Sequence, residues 1–174
     1  MMEPVEYLEI IYNKLKPFFD IERDFIIDEN KFDLFAKYHA KHVRTFLTPN
    51  DVIDSYNTNE YYAIKLFGKR FEEKDFQLFS GLMRKIHDNY VKPDEDHMCS
   101  IVNGIAILED GLEEKVEKSI KSFSFEKSYF FLLKGWSRIN IAAVDLKNEK
   151  IIVSRWGKNL EKVLKTDKNG KSKK

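Results

Sequence analysis

Apolar positions recur at helical spacing over residues 4 to 16, where Val5, Leu8, Ile11, Tyr12 and Leu15 share one stripe. Pro4 suits a first helical turn and Pro17 marks the exit, so the spacing predicts an amphipathic helix. From Phe19 the period falls to two. Phe19, Ile21, Arg23, Phe25 and Ile27 alternate with Asp20, Glu22, Asp24 and Ile26. After Asp28-Glu29-Asn30 a second run places Phe32, Leu34, Ala36, Tyr38 and Ala40 against Asp33, Phe35, Lys37, His39 and Lys41. Two alternating runs around an Asx-containing turn predict a β-hairpin. Val43 to Leu47 continues the strand pattern and Thr48-Pro49-Asn50-Asp51 breaks it. Val52 to Tyr56 and Tyr61 to Phe67 then predict one or two further strands around Asn57-Thr58-Asn59.

Helical spacing returns from about Glu72 to Val91, with Phe76, Phe79, Leu82, Met83, Ile86 and Tyr90 on one face, and Lys92-Pro93 stops it. His97 to Leu108 is apolar at both parities, the mark of a central strand covered on both sides. Gly111 to Ser122 carries Leu112, Val116 and Ile120 at four-residue steps, a short helix. Phe123 to Leu133, Trp136 to Asp145 and Lys150 to Ser154 read as three strands, the last two joined by Leu146-Lys147-Asn148-Glu149. Within the first of these, Tyr129-Phe130-Phe131-Leu132-Leu133 reads as buried strand. Asn159 to Lys165 predicts a closing helical turn or two. The order predicts an α+β fold: a single, largely antiparallel sheet of about 6–8 strands with 3–4 helices packed mainly on one face. One domain is expected over residues 1–165, followed by a disordered basic tail at 166–174.

Composition narrows the function classes. The 174 residues are 43% hydrophobic, with fourteen Phe and eight Tyr, which excludes general disorder and supplies a core that needs no staple. Thirty Lys plus Arg stand against twenty-nine Asp plus Glu. From Lys158 onward seven Lys face only Glu161 and Asp167, so a net of +5 sits in the tail and the rest is mildly acidic. That tail holds no Arg and no aromatic to stack a base, and it reads as a solubilising end, against nucleic acid as a partner. The seven glycines are too few and too scattered for phosphate-cradling loops: Gly68-Lys69 and Gly157-Lys158 have Ala63 and Ile152 where a leading glycine belongs. No dinucleotide fingerprint and no Gly-x-Ser-x-Gly elbow is present, and no cofactor is implied. The first six residues carry two acids, Glu3 and Glu6, and no base, and no apolar run approaches the roughly 20 residues that cross a bilayer. With a single cysteine, Cys99, the expected setting is a reducing one, the cytoplasm, without a membrane.

Candidate chemistry is sparse. His39 and His42 point to opposite faces of a strand and make a poor chelate. His97 and Cys99, two apart, are the weak metal candidates, against the plainer reading of Cys99 as a small buried residue. His87-Asp88 reads as a solvated pair on the second long helix. Lys37, Lys41, His42 and Arg44 form a candidate basic patch. The order α-β-β-β-α-β is similar to that of restriction-endonuclease-like folds, which use an acid and an acid-x-Lys around a metal. Asp33, Lys37, His39 and Lys65 would be its cleft residues here, but Ala63 stands where the second acid belongs. Phe125, Tyr129, Phe131 and Trp136, most simply core, are the candidates for lining an apolar ligand pocket.

Three segments, Phe32 to Lys37, Val91 to Met98 and Leu133-Lys134-Gly135-Trp136, resemble a family of small prokaryotic proteins of unknown function. The resemblance implies a soluble bacterial or archaeal protein with no assigned activity, and it transfers no catalytic residue. The expected function is therefore non-enzymatic binding, as a homo-oligomer or with a protein or small apolar ligand. The alternative is a nuclease-like or nucleic-acid-binding protein built on the Asp33 cleft.

Overall fold

A computed structural model describes residues 2–45 and 52–166, with side chains described outside 44, 45 and 52–54. The predicted 166–174 tail, apart from Thr166, and the break at 48–51 lie outside the described residues. The elements run α1 (Pro4–Leu15), β1 (Asp20–Ile27), β2 (Asn30–Thr45), β3 (Val52–Phe67), α2 (Glu73–Tyr90), β4 (His97–Leu108), α3 (Glu114–Ser122), β5 (Phe125–Ser128), β6 (Trp136–Asp145), β7 (Lys150–Val153) and α4 (Leu160–Leu164). Pro4 stands in the first turn of α1. A capping box between Glu72 and Asp75 starts α2.

The fold is α+β, built on one seven-stranded mixed sheet. Its order is β1-β2-β3-β4-β6-β5, with β7 also pairing β6. Four pairings are antiparallel, while β3–β4 and β4–β6 are parallel, each reached by a crossover through a helix. A crossover lays its helix on a face of the sheet. Here α2 and α3 cover the front face and α1 and α4 the back, so the helices divide between the faces rather than gathering on one. The reason is in β4: its apolar residues at both parities need cover from both sides. Val102, Ala106 and Leu108 join the front core, and Ile105 and Ile107 the back.

On the front, Phe32, Phe35, Phe71 and Phe79 are fully buried. On the back, Ile11 of α1 packs into Leu34, Ile64, Ile105 and Val144. The buried Tyr7 hydroxyl donates to the Leu164 carbonyl, tying α1 to α4, and burial pushes its pKa up. Together α1 and α4 cover only part of the back face. Tyr38, Thr58, Glu60, Ile101 and Arg138 beyond them are exposed or half-buried.

Three departures from the periodic reading matter for the sites. First, β3 is one continuous strand through Asn57-Thr58-Asn59. Second, His97 pairs with Asn57 and Cys99 with Thr58, so a bulge at Met98 breaks the alternation. Adjacent residues on β3 face opposite ways, hence His97 lies on the front and Cys99 on the back. Third, β5 ends at Ser128, and Phe130 to Leu133 leave the sheet entirely. Phe130, Phe131 and Leu132 take left-handed φ values of 48°, 52° and 72°, three in succession, which turns the chain out of the extended conformation.

Candidate functional site

The residues proposed for a nuclease-like cleft are spread along the β2–β3 ladder. Asp33 Oδ2 accepts the Leu66 N–H at 2.7 Å, standing in for a backbone acceptor where the regular ladder stops at Leu34. The Lys65 ammonium donates to the Lys31 carbonyl and lies 5.8 and 5.9 Å from the Phe32 and Phe67 ring centres. His39 pairs with Asn59, six residues up β3 from Lys65, roughly 20 Å away at strand rise. Lys37, half-buried, lies between them opposite Tyr61. The four do not converge on one point. Lys41 approaches Asp96 at 3.9 Å, while His42 turns to the other face and stacks on Tyr56 at 4.7 Å. The Arg44 side chain lies outside those described. Among the described residues no group of three or more His, Cys, Asp or Glu is placed to hold a metal.

What the structure does assemble is a buried polar network on the front face. His97 Nδ1 donates to the Lys134 carbonyl at 2.7 Å, which leaves Nε2 to accept the Ser100 hydroxyl at 2.8 Å. Ser100 in turn accepts from Asn59 at 3.2 Å, and Asn59 Oδ1 takes the His39 Nδ1 proton at 2.6 Å. Beside it, His87 Nδ1 donates to Asp88 at 2.9 Å and His87 Nε2 meets Ser137 Oγ at 2.8 Å. The Tyr129 hydroxyl donates to Ser137 Oγ, also at 2.8 Å. His87, read from sequence as solvated, is only 2% exposed, because it sits on the buried stripe of α2, four residues after Met83 and beside Ile86.

The order Asp88, His87, Ser137 is that of a hydrolase triad. Ser137, however, is fully buried under Tyr129, with its proton and a lone pair both engaged. Cavities of about 470 and 650 Å³ lie elsewhere, bordered by α1 and α4. The arrangement is bonded internally, and neither cavity reaches it. Ser137→Ala strands His87 Nε2 and the Tyr129 hydroxyl, and the expected cost is about 1–3 kcal/mol in a denaturant titration. An unchanged midpoint would show the network to be dispensable.

The four aromatic ligand candidates do not share a cavity. Phe125 is half-buried, 4.8 Å from the His87 ring centre and under the Arg84 guanidinium. Tyr129 packs on His97, and Trp136 lies on the back face under Arg138. Phe131 is 98% exposed, correcting the buried-strand reading of Tyr129 to Leu133. Around it Phe130, Leu132 and Leu133 are 70%, 63% and 83% exposed.

This apolar tip is held in shape from within. Tyr129 N–H donates to Gly135 O, Leu133 N–H to Phe130 O, Lys134 N–H to Tyr129 O and Gly135 N–H to Leu132 O. A loop so bonded presents its side chains in a fixed array. Lys127 and Lys134 form its collar, their ammonium groups near the Tyr129 and Phe130 rings. The His97–Lys134 bond brings the acidic turn before β4, Asp94 to Asp96, to the same end of the sheet. The sequence signal was the apolar run itself; its exposure could not be read from it.

Residues 3–166 match a domain of unknown function, DUF8052. The chain belongs to this family. The match spans nearly every element above, from α1 through α4, and so includes the tip, the network and both cores. Comparison with curated proteins and with solved structures finds no match. Among the described residues, no helix of this DUF8052 domain is long and apolar enough to cross a membrane.

Proposed function

We propose that the protein is a non-catalytic interaction domain that pairs with a second copy of itself through the β5–β6 tip. The observation that carries this reading is the exposure of four consecutive large apolar residues, Phe130 to Leu133, on an internally bonded loop. Their free surface is on the order of 500 Å², at the upper end of what a typical monomer leaves exposed. Two tips meeting about a two-fold axis bury roughly 1,000 Å², the lower bound of a specific interface. The projecting shape suits contact with another protein surface rather than enclosure of a small apolar ligand.

The charges around the tip favour self-pairing. Lysines 127 and 134 and the acids 94 to 96 lie at the same end, so one copy's collar can face the other's acids. An anionic membrane would meet both signs. The lone, half-buried Cys99 fits a reducing compartment, the cytoplasm.

Sedimentation velocity across the micromolar range tests the proposal. The expected result is a concentration-dependent dimer that Phe131→Asp converts to monomer with an unchanged thermal midpoint, because the side chain touches solvent in the single chain. A wild type monomeric throughout, or a dimer indifferent to Phe131→Asp, overturns the reading. Tip-dependent binding to anionic vesicles by a monomer would also overturn it and favour a lipid surface.

A further inference from the structure

The part of the back face that α1 and α4 leave uncovered contains a carboxylate in an aromatic setting. Glu60 of β3 lies directly across from Tyr38 of β2 and beside Ile101 of β4. Tyr62 follows it on the same face. Phe19, in the turn after α1, meets Tyr62 edge-on at 5.3 Å and Tyr38 at 5.5 Å. Three rings thus stand around one acid. The Asn103 amide donates to Glu60 Oε1 at 2.9 Å, and Asn140 donates to Asn103 Oδ1 at 3.0 Å, a ladder that fixes the carboxylate from behind.

Three further observations bear on what Glu60 is for. No cationic side chain among the described residues pairs with it: within 4.0 Å the ion pairs on this domain join other acids. It opens onto the cavity of about 470 Å³ whose apolar wall is Leu15, Pro17, Phe18 and Phe19, with Tyr62 on the sheet side. Lys14, also at the rim, directs its ammonium to the Val163 and Lys165 carbonyls at 2.8 and 2.7 Å. The charge of Glu60 is felt locally. After burial itself, it is the next cause raising the pKa values of Tyr62 and Cys99.

We infer that this cavity is a binding site for an organic cation, an alkylammonium group lodged against the Phe19 and Tyr62 rings and the Glu60 carboxylate that line it, with Tyr38 backing Phe19. Ring faces attract a cation through their quadrupole and tolerate its alkyl substituents, while the carboxylate supplies the full opposite charge. A single carboxylate with neutral amide neighbours is a poor set for a hard divalent metal, which takes six or more oxygens or several waters. A strongly hydrated small ion gains little from aromatic walls. An ammonium carrying carbon groups gains from both.

The site lies on the opposite face from the tip network and stands independently of self-pairing. Nuclear magnetic resonance titration of the full chain with tetramethylammonium chloride tests it, with tert-butanol as the neutral probe of similar shape. The expected result is saturable shifts of the Asn103 and Asn140 side-chain amides with the cation and none with the alcohol. Glu60→Gln keeps the acceptor for Asn103 and removes the charge, and it should weaken binding roughly tenfold. Phe19→Ala should weaken it as well, and Phe131→Asp should leave it unchanged. No saturable shift in the wild type, equal response to tert-butanol, or unaltered affinity in Glu60→Gln overturns the inference.

Discussion

Gly135→Ala is expected to destabilise the protein by about 3 kcal/mol or more, a large effect for one methyl group. Gly135 has φ +71°, where an alanine carries a steric penalty of roughly 1 kcal/mol. Collision costs more. An added Cβ runs into the Met98 carbonyl group and comes 2.8 Å from the His97 carbonyl oxygen, all of it backbone. That backbone has no freedom to retreat. Cys99 is the next residue, paired with Trp136 at the start of the β4–β6 ladder, and His97 is tied to Lys134 and Ser100. Relief requires breaking either the ladder or the loop's own hydrogen bonds. Urea unfolding of Gly135→Ala beside the wild type measures the cost, and a change below about 1 kcal/mol would show that the β5–β6 loop can shift away from β4 without loss.

The second large effect belongs to Phe35. It is fully buried, stacked on Phe25 with ring centres 4.2 Å apart, and in contact with Tyr61 at 6.3 Å and Tyr90 at 5.0 Å. It joins β1, β2, β3 and α2 in one aromatic cluster. Phe35→Ala removes the burial of a whole ring and leaves a cavity between sheet and helix, at an expected cost of about 3–5 kcal/mol. Domains of this kind hold about 5–15 kcal/mol in all, so the variant should unfold at markedly lower denaturant. Phe18 is the control from the same residue type. At 71% exposure its truncation should change stability by no more than about 0.5 kcal/mol. Comparable losses at Phe18 and Phe35 would contradict the packing of the aromatic cluster.

Much of the element order is legible in the chain, for local reasons. Val5, Leu8, Ile11 and Leu15 repeat at the helical period and three of the four are buried on α1. Asp28 and Glu29 take left-handed φ values of 45° and 63° in the turn that the Asx cluster marks. Phe76 to Ile86 supply the buried stripe of α2. The two-sided apolar pattern of β4 forecasts cover on both faces, which the four helices provide.

The misreadings have physical causes too. Tyr129 to Leu133 has the composition of a buried strand, and periodicity carries no information on whether a partner surface exists to cover it. It turns outward through left-handed residues Phe130 to Leu132 and returns at Gly135, whose left-handed backbone packs against the Met98 carbonyl, a contact between residues 37 apart in the chain. His97 and Cys99 share a face in a regular strand. The bulge at Met98, visible only in the pairing with β3, separates them. Asp33 has the position of a catalytic acid and the job of a backbone acceptor, because the regular β2–β3 ladder stops one residue short of it.

By itself, then, the sequence determines most of the helices and strands, that a self-sufficient core is available, and that no phosphate-cradling or nucleophile-elbow motif is written in it. These follow from side-chain spacing, apolar content and glycine positions, all properties of neighbouring residues. Only the tertiary structure decides that Phe130 to Leu133 face solvent, that His87 and Ser137 meet at 2.8 Å, and that Glu60 stands among Phe19, Tyr38 and Tyr62. Each depends on strands and helices remote in sequence, whose register and crossover are chosen by how the whole sheet buries its two faces.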